Sequence, residues 1–198
     1  MKESRILNVS PRVYNGIHYR STLEADTARN LDKLGIPFSY EKKKVRLLEG
    51  FRCPYQHDKV QAITYTPDFE IGSSIILECK GFETPEWKLK KKYIYKYLME
   101  NEPDVCYYVI KDSRKSLLEV LDNHWAYLGY AVQVSSKPIK IKKGKKPEHP
   151  KPKLYDSVDI AMQELGITNK SKGLIMKCMI GNAKYAYGYN WKLKKLKI

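Results

Sequence analysis

The sequence predicts an α/β protein: a mixed β-sheet flanked by helices, followed by a small C-terminal helix-turn-helix module. Three observations carry this. Helical and extended stretches alternate through the first 136 residues, a lysine- and proline-rich stretch at 137–153 interrupts them, and two short capped helical segments come after it. The 198 residues have room for one α/β domain and a small module, giving predicted parts at 1–136, 137–153 and 154–198.

The first nineteen residues show no strong periodicity, although Val9, Val13, Tyr14, Ile17 and Tyr19 are suited to pack as an arm on a neighbour. A helix follows. Ser21 is a good N-cap, Leu23, Thr27, Leu31 and Leu34 form one stripe, Gly35 ends it and Pro37 prevents its resumption. Glu24, three residues after Ser21, holds the place of the glutamate in a capping box. Lys44 to Leu48 reads as a strand, then an irregular stretch with Pro54 and His57. A hairpin comes next, roughly 61–71 and 75–80, with Gly72-Ser73 supplying its turn.

Thr84-Pro85-Glu86 supplies an N-cap, a proline at the first helical position and an acid at the second. The helix it opens runs to about Met99, with Trp87, Lys90, Ile94, Tyr97 and Leu98 inward and Lys88, Lys91, Lys92 and Lys96 on the remainder. Val105 to Ile110 is a predicted buried strand, Ser116 to Leu128 a helix with Leu117, Leu121, Trp125 and Leu128 inward, and Tyr130 to Val134 a last strand.

Residues 137–153 hold eight lysines, four prolines and one glutamate. Such a segment buries little and is expected to be an extended linker, either free in solvent or laid along a polyanion. Ser157 to Gly166 then reads as a capped helix and about Lys170 to Met179 as a second, joined by a tight connection. The aromatic tail from Tyr185 to Lys192 is expected to close the module as a strand or hairpin.

The net charge of +15, from 37 Lys and Arg against 22 Asp and Glu, favours a polyanionic partner, nucleic acid before anionic membrane. No apolar run approaches the roughly 20 residues that span a bilayer, and no signal-peptide pattern is present. The expected location is the cytoplasm of a bacterium or an infected host cell. Cys53, Cys79, Cys106 and Cys178 form no CxxC pair and read as reduced thiols, two of them in strands. Cys53 and His57 with His18 or His124 lack the second close pair of a zinc site.

The chemistry concentrates in Tyr65-Thr66-Pro67-Asp68-Phe69 and Ile75-Ile76-Leu77-Glu78-Cys79-Lys80-Gly81. Alternation along a strand sets Ile76, Glu78 and Lys80 on one face, with Asp68 brought in from the preceding strand. Two carboxylates and a lysine are what metal-assisted phosphodiester hydrolysis requires: hard oxygen atoms hold Mg²⁺, and an ammonium supports the developing oxyanion. An exposed ion pair between Glu78 and Lys80 is the plainer alternative.

Pro67-Asp68 followed by Glu78-x-Lys80 resembles the signature of the PD-(D/E)xK nuclease superfamily. Within it, residues 20–81 resemble the junction-resolving endonuclease I enzymes typified by that of bacteriophage T-seven. The shared pieces are Arg20-Ser21-x-Leu23-Glu24, Leu34-Gly35-Ile36, Phe38-x-Tyr40-Glu41, Tyr65-Thr66-Pro67-Asp68-Phe69 and Glu78-x-Lys80-Gly81. The resemblance implies a restriction-endonuclease-like core. It implies Glu24, Asp68 and Glu78 as ligands of Mg²⁺ or Mn²⁺, Lys80 as the catalytic lysine, Glu41 as a further acidic member, and a homodimer. Residues 154–193 resemble the NUMOD-type DNA-binding repeats of homing endonucleases, in Ser157 to Gly166, in the second helix and in Tyr187-Gly188-Tyr189-Asn190-Trp191. Such an appendage is foreign to the junction-resolving enzymes.

The expected activity is therefore a metal-dependent DNA endonuclease of homing type steered by its C-terminal module. A resolvase of branched DNA and a non-catalytic DNA-binding scaffold are the alternatives. Candidate DNA contacts are Arg20, Lys88, Lys91, Lys142, Lys143, Lys145, Lys146, Asn169, Lys170, Lys172 and Lys177.

Overall fold

The computed structural model describes residues 10–55, 58–137 and 151–196. Val9, His57, Lys142, Lys143, Lys145 and Lys146, and most of the predicted linker, lie outside the described residues. The chain forms two compact units, one built from residues 1–36 together with 112–198, the other from 37–111.

The first unit begins with a hairpin, β1 (Arg12–Tyr14) against β2 (Ile17–Tyr19). Its turn is Asn15-Gly16, both at positive φ (49° and 75°), the pairing a tight hairpin favours. Helix α1 (Thr22–Leu34) follows, with Ser21 Oγ accepting from the Glu24 N–H at 3.2 Å. It ends at Gly35 in the left-handed region, φ 72°. Ala25 and Ala28 join Leu31 and Leu34 in the buried stripe, while Leu23 is only half-buried. Asn30 Nδ2 donates to the Ser113 carbonyl at 2.6 Å, tying α1 to the far half of its own unit.

The second unit holds β3 (Ser39–Tyr40), β4 (Val45–Leu48), β5 (Phe51–Arg52), β6 (Lys59–Val60), β7 (Ile63–Tyr65), β8 (Phe69–Ile71), β9 (Ile75–Cys79), α2 (Pro85–Asn101) and β10 (Cys106–Ile110). Its four-stranded sheet has the order β10-β9-β8-β3, with β9 and β10 parallel and the other neighbours antiparallel. A mixed sheet beside a helix is thus present, with α2 as the crossover that a parallel pair requires. The expected single strand at 61–71 is instead two. Pro67 has no N–H to give to a ladder, and on either side of it β7 pairs with β4 while β8 pairs with β9. The irregular stretch around Pro54 contains the β5–β6 hairpin.

Helix α2 starts as its cap predicts, Thr84 Oγ1 accepting from the Trp87 N–H at 3.2 Å. Its buried residues Trp87, Ile94 and Leu98 pack with Val45, Tyr65 and Ile76. Ile76 shares its strand face with Glu78, so α2 covers the face on which that carboxylate stands.

The first unit resumes with α3 (Lys115–Asp122) and α4 (Trp125–Leu128). The one helix expected at 116–128 is broken at Asn123-His124. Strand β11 (Tyr130–Ser136) is not an edge of the mixed sheet: it is the centre of a separate antiparallel sheet, β12-β11-β13, with β12 (Lys153–Tyr155) and β13 (Tyr189–Lys195). Lys153, expected in the linker, opens β12, and the aromatic tail becomes β13 as anticipated.

Between those strands lie α5 (Val158–Glu164), capped by Ser157, and α6 (Lys172–Met179). Helix α6 begins two residues later than expected and buries Ile175, Met176, Cys178 and Met179, packing on α3 and β13. Asp122 joins these parts. Its carboxylate accepts from the Trp125 indole N–H at 2.8 Å and from the Val158 and Asp159 backbone N–H groups, and it faces Lys172 Nζ at 3.4 Å. All four cysteines carry free thiols, Cys79 and Cys106 in strands. No helix among the described residues is long and apolar enough to cross a membrane.

Candidate active site

Three strand ends build the site in the second unit. Pro67 terminates β7, which leaves Asp68 between the strands, 8% exposed. Its Oδ2 accepts from the Cys79 N–H at 2.7 Å, so the carboxylate reaches the backbone of β9 between Glu78 and Lys80. Its carbonyl accepts from the Glu41 N–H at 3.1 Å. Glu41 follows β3 at φ 48°, a conformation uncommon for a residue with a Cβ, and is half-buried beside Asp68.

Glu78 sits in β9, 4% exposed. The Tyr65 hydroxyl donates to its Oε2 at 2.8 Å, and Lys80 Nζ stands 3.5 Å from Oε1. Burial raises the carboxyl above the ordinary range, opposed by the Tyr65 hydrogen bond and the charge of Lys80. Burial also raises the Tyr65 phenol far above its usual value, with the Glu78 charge adding to it. Tyr65 is therefore a permanent donor. Its ring meets that of Tyr107 edge-on, centroids 6.4 Å apart.

Lys80 continues the β9 ladder, its N–H donating to the Ile110 carbonyl at 2.9 Å. Its side chain is 35% exposed, and the ammonium lies 4.4 Å from the centroid of the Trp87 ring. A cation over an indole face is attracted by the ring quadrupole. Lys80 is thus held on one side by Glu78 and on another by Trp87, with part of its surface open to solvent.

Glu41, Asp68, Glu78 and Lys80 all belong to this unit, Glu41 joined to Asp68 through the backbone. Glu24 belongs to the other, where it is buried in the first turn of α1. There Oε2 accepts from the Arg20 N–H at 3.0 Å and Oε1 from the Ser21 hydroxyl at 2.7 Å, the capping-box role its spacing suggests. Among the candidate DNA contacts, Arg20, Lys88, Asn169 and Lys170 are exposed. Lys91 pairs with Glu83 at 3.4 Å, Lys172 with Asp159 at 2.7 Å, and Lys177 is half-buried in the last turn of α6.

Tyr65 and Trp87 escape a reading by motif. Tyr65 stands within the quoted motif without a role of its own, and Trp87 reads only as the first inward residue of α2. The available signal is that Tyr65 falls on the strand before Asp68 and that Trp87 opens the helix immediately after Lys80.

Among the described residues, no group of three or more His, Cys, Asp or Glu side chains is gathered as a ready metal cage. The donor set of the second unit suits a smaller demand. Mg²⁺ takes one or two protein carboxylates and completes its shell with water and substrate phosphates. Asp68 and Glu78 offer hard oxygen atoms of that kind, and Glu78, too buried to ionise easily, is a carboxylate that gains from a nearby cation.

No curated protein and no solved structure matches the chain. Among protein families, the model for Phage endonuclease I matches residues 8–119, more than half of the chain. That span contains Glu24, Glu41, Asp68, Glu78 and Lys80 and ends within α3. With its acidic residues and lysine lying inside the matched span, the chain belongs to the phage endonuclease I family and is a nuclease.

Proposed function

We propose that the chain is a divalent-metal-dependent DNA endonuclease that hydrolyses phosphodiester bonds with Mg²⁺ or Mn²⁺. Asp68 and Glu78 are its metal ligands and Glu41 an added acidic group. The observation that carries this reading is the arrangement on β9: buried Glu78 beside the partly open Lys80 ammonium, with the buried Asp68 carboxylate held on the Cys79 N–H between them in sequence. When bound, the ion supplies Lewis-acid polarisation of the scissile phosphate. The rest falls to this chain's own residues. The Cys79 N–H fixes Asp68, the Tyr65 hydroxyl fixes Glu78, and the Trp87 face with Glu78 aims the Lys80 ammonium at the charge that grows on phosphate oxygen.

The preferred substrate is branched DNA, cut by a homodimer in the cytoplasm of a bacterium or infected cell. The family match supports this, since it covers the nuclease residues and stops before the C-terminal helices. A second reading, site-directed cleavage of homing type, is favoured by one observation: α5, a short turn and α6 lie beyond the matched span, with Asn169 and Lys170 exposed at their junction.

The test is cleavage of a four-way junction and of linear duplex, in Mg²⁺ and in EDTA. Asp68→Ala and Lys80→Ala are expected to lose about 100-fold or more in rate, as for removal of groups that stabilise transition-state charge. Parent-like cleavage by either variant, or cleavage in EDTA, removes the assignment. Preference for the junction whatever its arm sequences favours the resolvase reading over the homing one.

A further inference from the structure

The β12-β11-β13 sheet has two unlike faces. Val132, Val134, Tyr155 and Trp191 are buried on one, where α5 and α6 pack. Alternation turns Ala131, buried opposite Lys194, together with Gln133, Ser135, Leu154, Asn190, Lys192 and Lys194 to the other. In register, Gln133 stands between Leu154 and Lys192, and Ser135 opposite Asn190. Lys192, Lys194 and Leu154 are exposed, the polar residues half-buried.

We propose that this outer face binds the sugar-phosphate backbone of DNA. The three strands contain no Asp or Glu. Lys153 of β12 is neutralised by Glu164, but among the described residues neither Lys192 nor Lys194 has a carboxylate partner. Two lysines one residue apart on a strand stand about 7 Å apart, close to two steps of the roughly 3.4 Å rise along one DNA strand.

The basic strip continues where β11 leaves the sheet. There Lys137 and Lys184 stand 5.1 Å and 5.6 Å from the centroid of the Tyr185 ring. The Lys137 N–H donates to the Gly188 carbonyl and Asn190 Nδ2 to the Lys184 carbonyl, so both ends of this cluster are fastened to the loop before β13. Cations with small hydroxyl and amide donors are the groups that contact phosphate and sugar. An acidic protein partner would call for an apolar centre, and Leu154 is the one large apolar side chain that the three strands turn outward.

The proposal rests on the nuclease reading only for the identity of the polyanion. It moves the C-terminal contact from α6, whose apolar side is spent on the core, to the sheet.

The experiment measures binding of the full chain to a labelled duplex in EDTA over a range of salt concentrations. The parent is compared with Lys192→Ala/Lys194→Ala and Lys192→Arg/Lys194→Arg. The alanine pair is expected to bind about tenfold more weakly, with the slope of log K against log salt smaller by about two. The arginine pair, which keeps both charges, is expected to stay within about twofold of the parent. Affinity and slope unchanged in the alanine pair overturn the proposal, as does equal loss in the arginine pair. A parent that binds but never cuts in Mg²⁺ refutes the metal-dependent function and leaves this surface standing.

Discussion

Glu78 concentrates the physical tension of the second unit, a carboxylate nearly sealed from water and satisfied by one phenol and one ammonium. Burial raises its folded pKa above the ordinary 4.5, so the folded state holds the proton more tightly than the unfolded one. Its contribution to stability is complete below pH 4.5 and is lost as pH rises through the folded value. Glu78→Gln keeps an acceptor for Tyr65 without that titration. In metal-free buffer, urea unfolding at stepped pH should find the glutamine protein gaining on the parent as pH increases from 4.5, and parallel curves would disprove the linkage. At this scale the sequence was readable in part: Lys80 stands beside Glu78 as their spacing on one strand suggests, and Asp68 reaches the backbone of the same strand at Cys79. Tyr65 and Trp87 were not readable, because their parts depend on one ring packing under a strand and another under an ammonium, contacts that exist only once α2 has docked.

Among the elements, α3, α5 and α6 are joined through one side chain. Asp122 is 1% exposed and caps α5 from a different helix, while Lys172, 15% exposed, supplies its counter-charge. Asp122→Ala strips two backbone N–H groups and an indole of their acceptor and leaves the Lys172 ammonium with Asp159 alone. Removing one partner of a buried pair costs roughly 3–5 kcal/mol, and a loss near 3 kcal/mol in denaturant unfolding is expected. A change under about 0.5 kcal/mol, the usual effect of an inert surface site, would refute this role. Element boundaries were legible where caps mark them, at Ser21, Gly35, Thr84 and Ser157. They failed where pairing decides. Asn15-Gly16 carries a hairpin signal, but strands of three mostly exposed residues show no alternation to support it. Pro67 divides what its apolar neighbours make look continuous, and β11 finds its partners some 20 and 60 positions onward, beyond any local pattern.

For the whole molecule, the decisive fact is that one unit is assembled from both ends of the chain and the other from its middle. Composition announces the basic character and the alternation of helical and extended stretches the α/β class, yet nothing local in residues 1–36 says that their partners begin at 112. A protein ending at Ser136 would keep the second unit and lose both neighbours of β11 and the helix packed on α3. Hydrogen exchange on that fragment should retain protection in β8, β9 and α2 and lose it in α3 and β11. Persistent protection of α3 and β11 would contradict this.

The bond from Asn30 to the Ser113 carbonyl bridges 83 positions. At about 5–20 residues per second of translation, the ribosome delivers those positions over roughly 4–17 seconds. Through that interval a nascent α1 has the β1–β2 hairpin beside it but not the elements of its unit that begin at residue 112, while the uninterrupted stretch behind it emerges and closes on itself. The second unit is thus born before the lysine-rich remainder of the chain, and the earliest helix to be made is among the last to be fully housed.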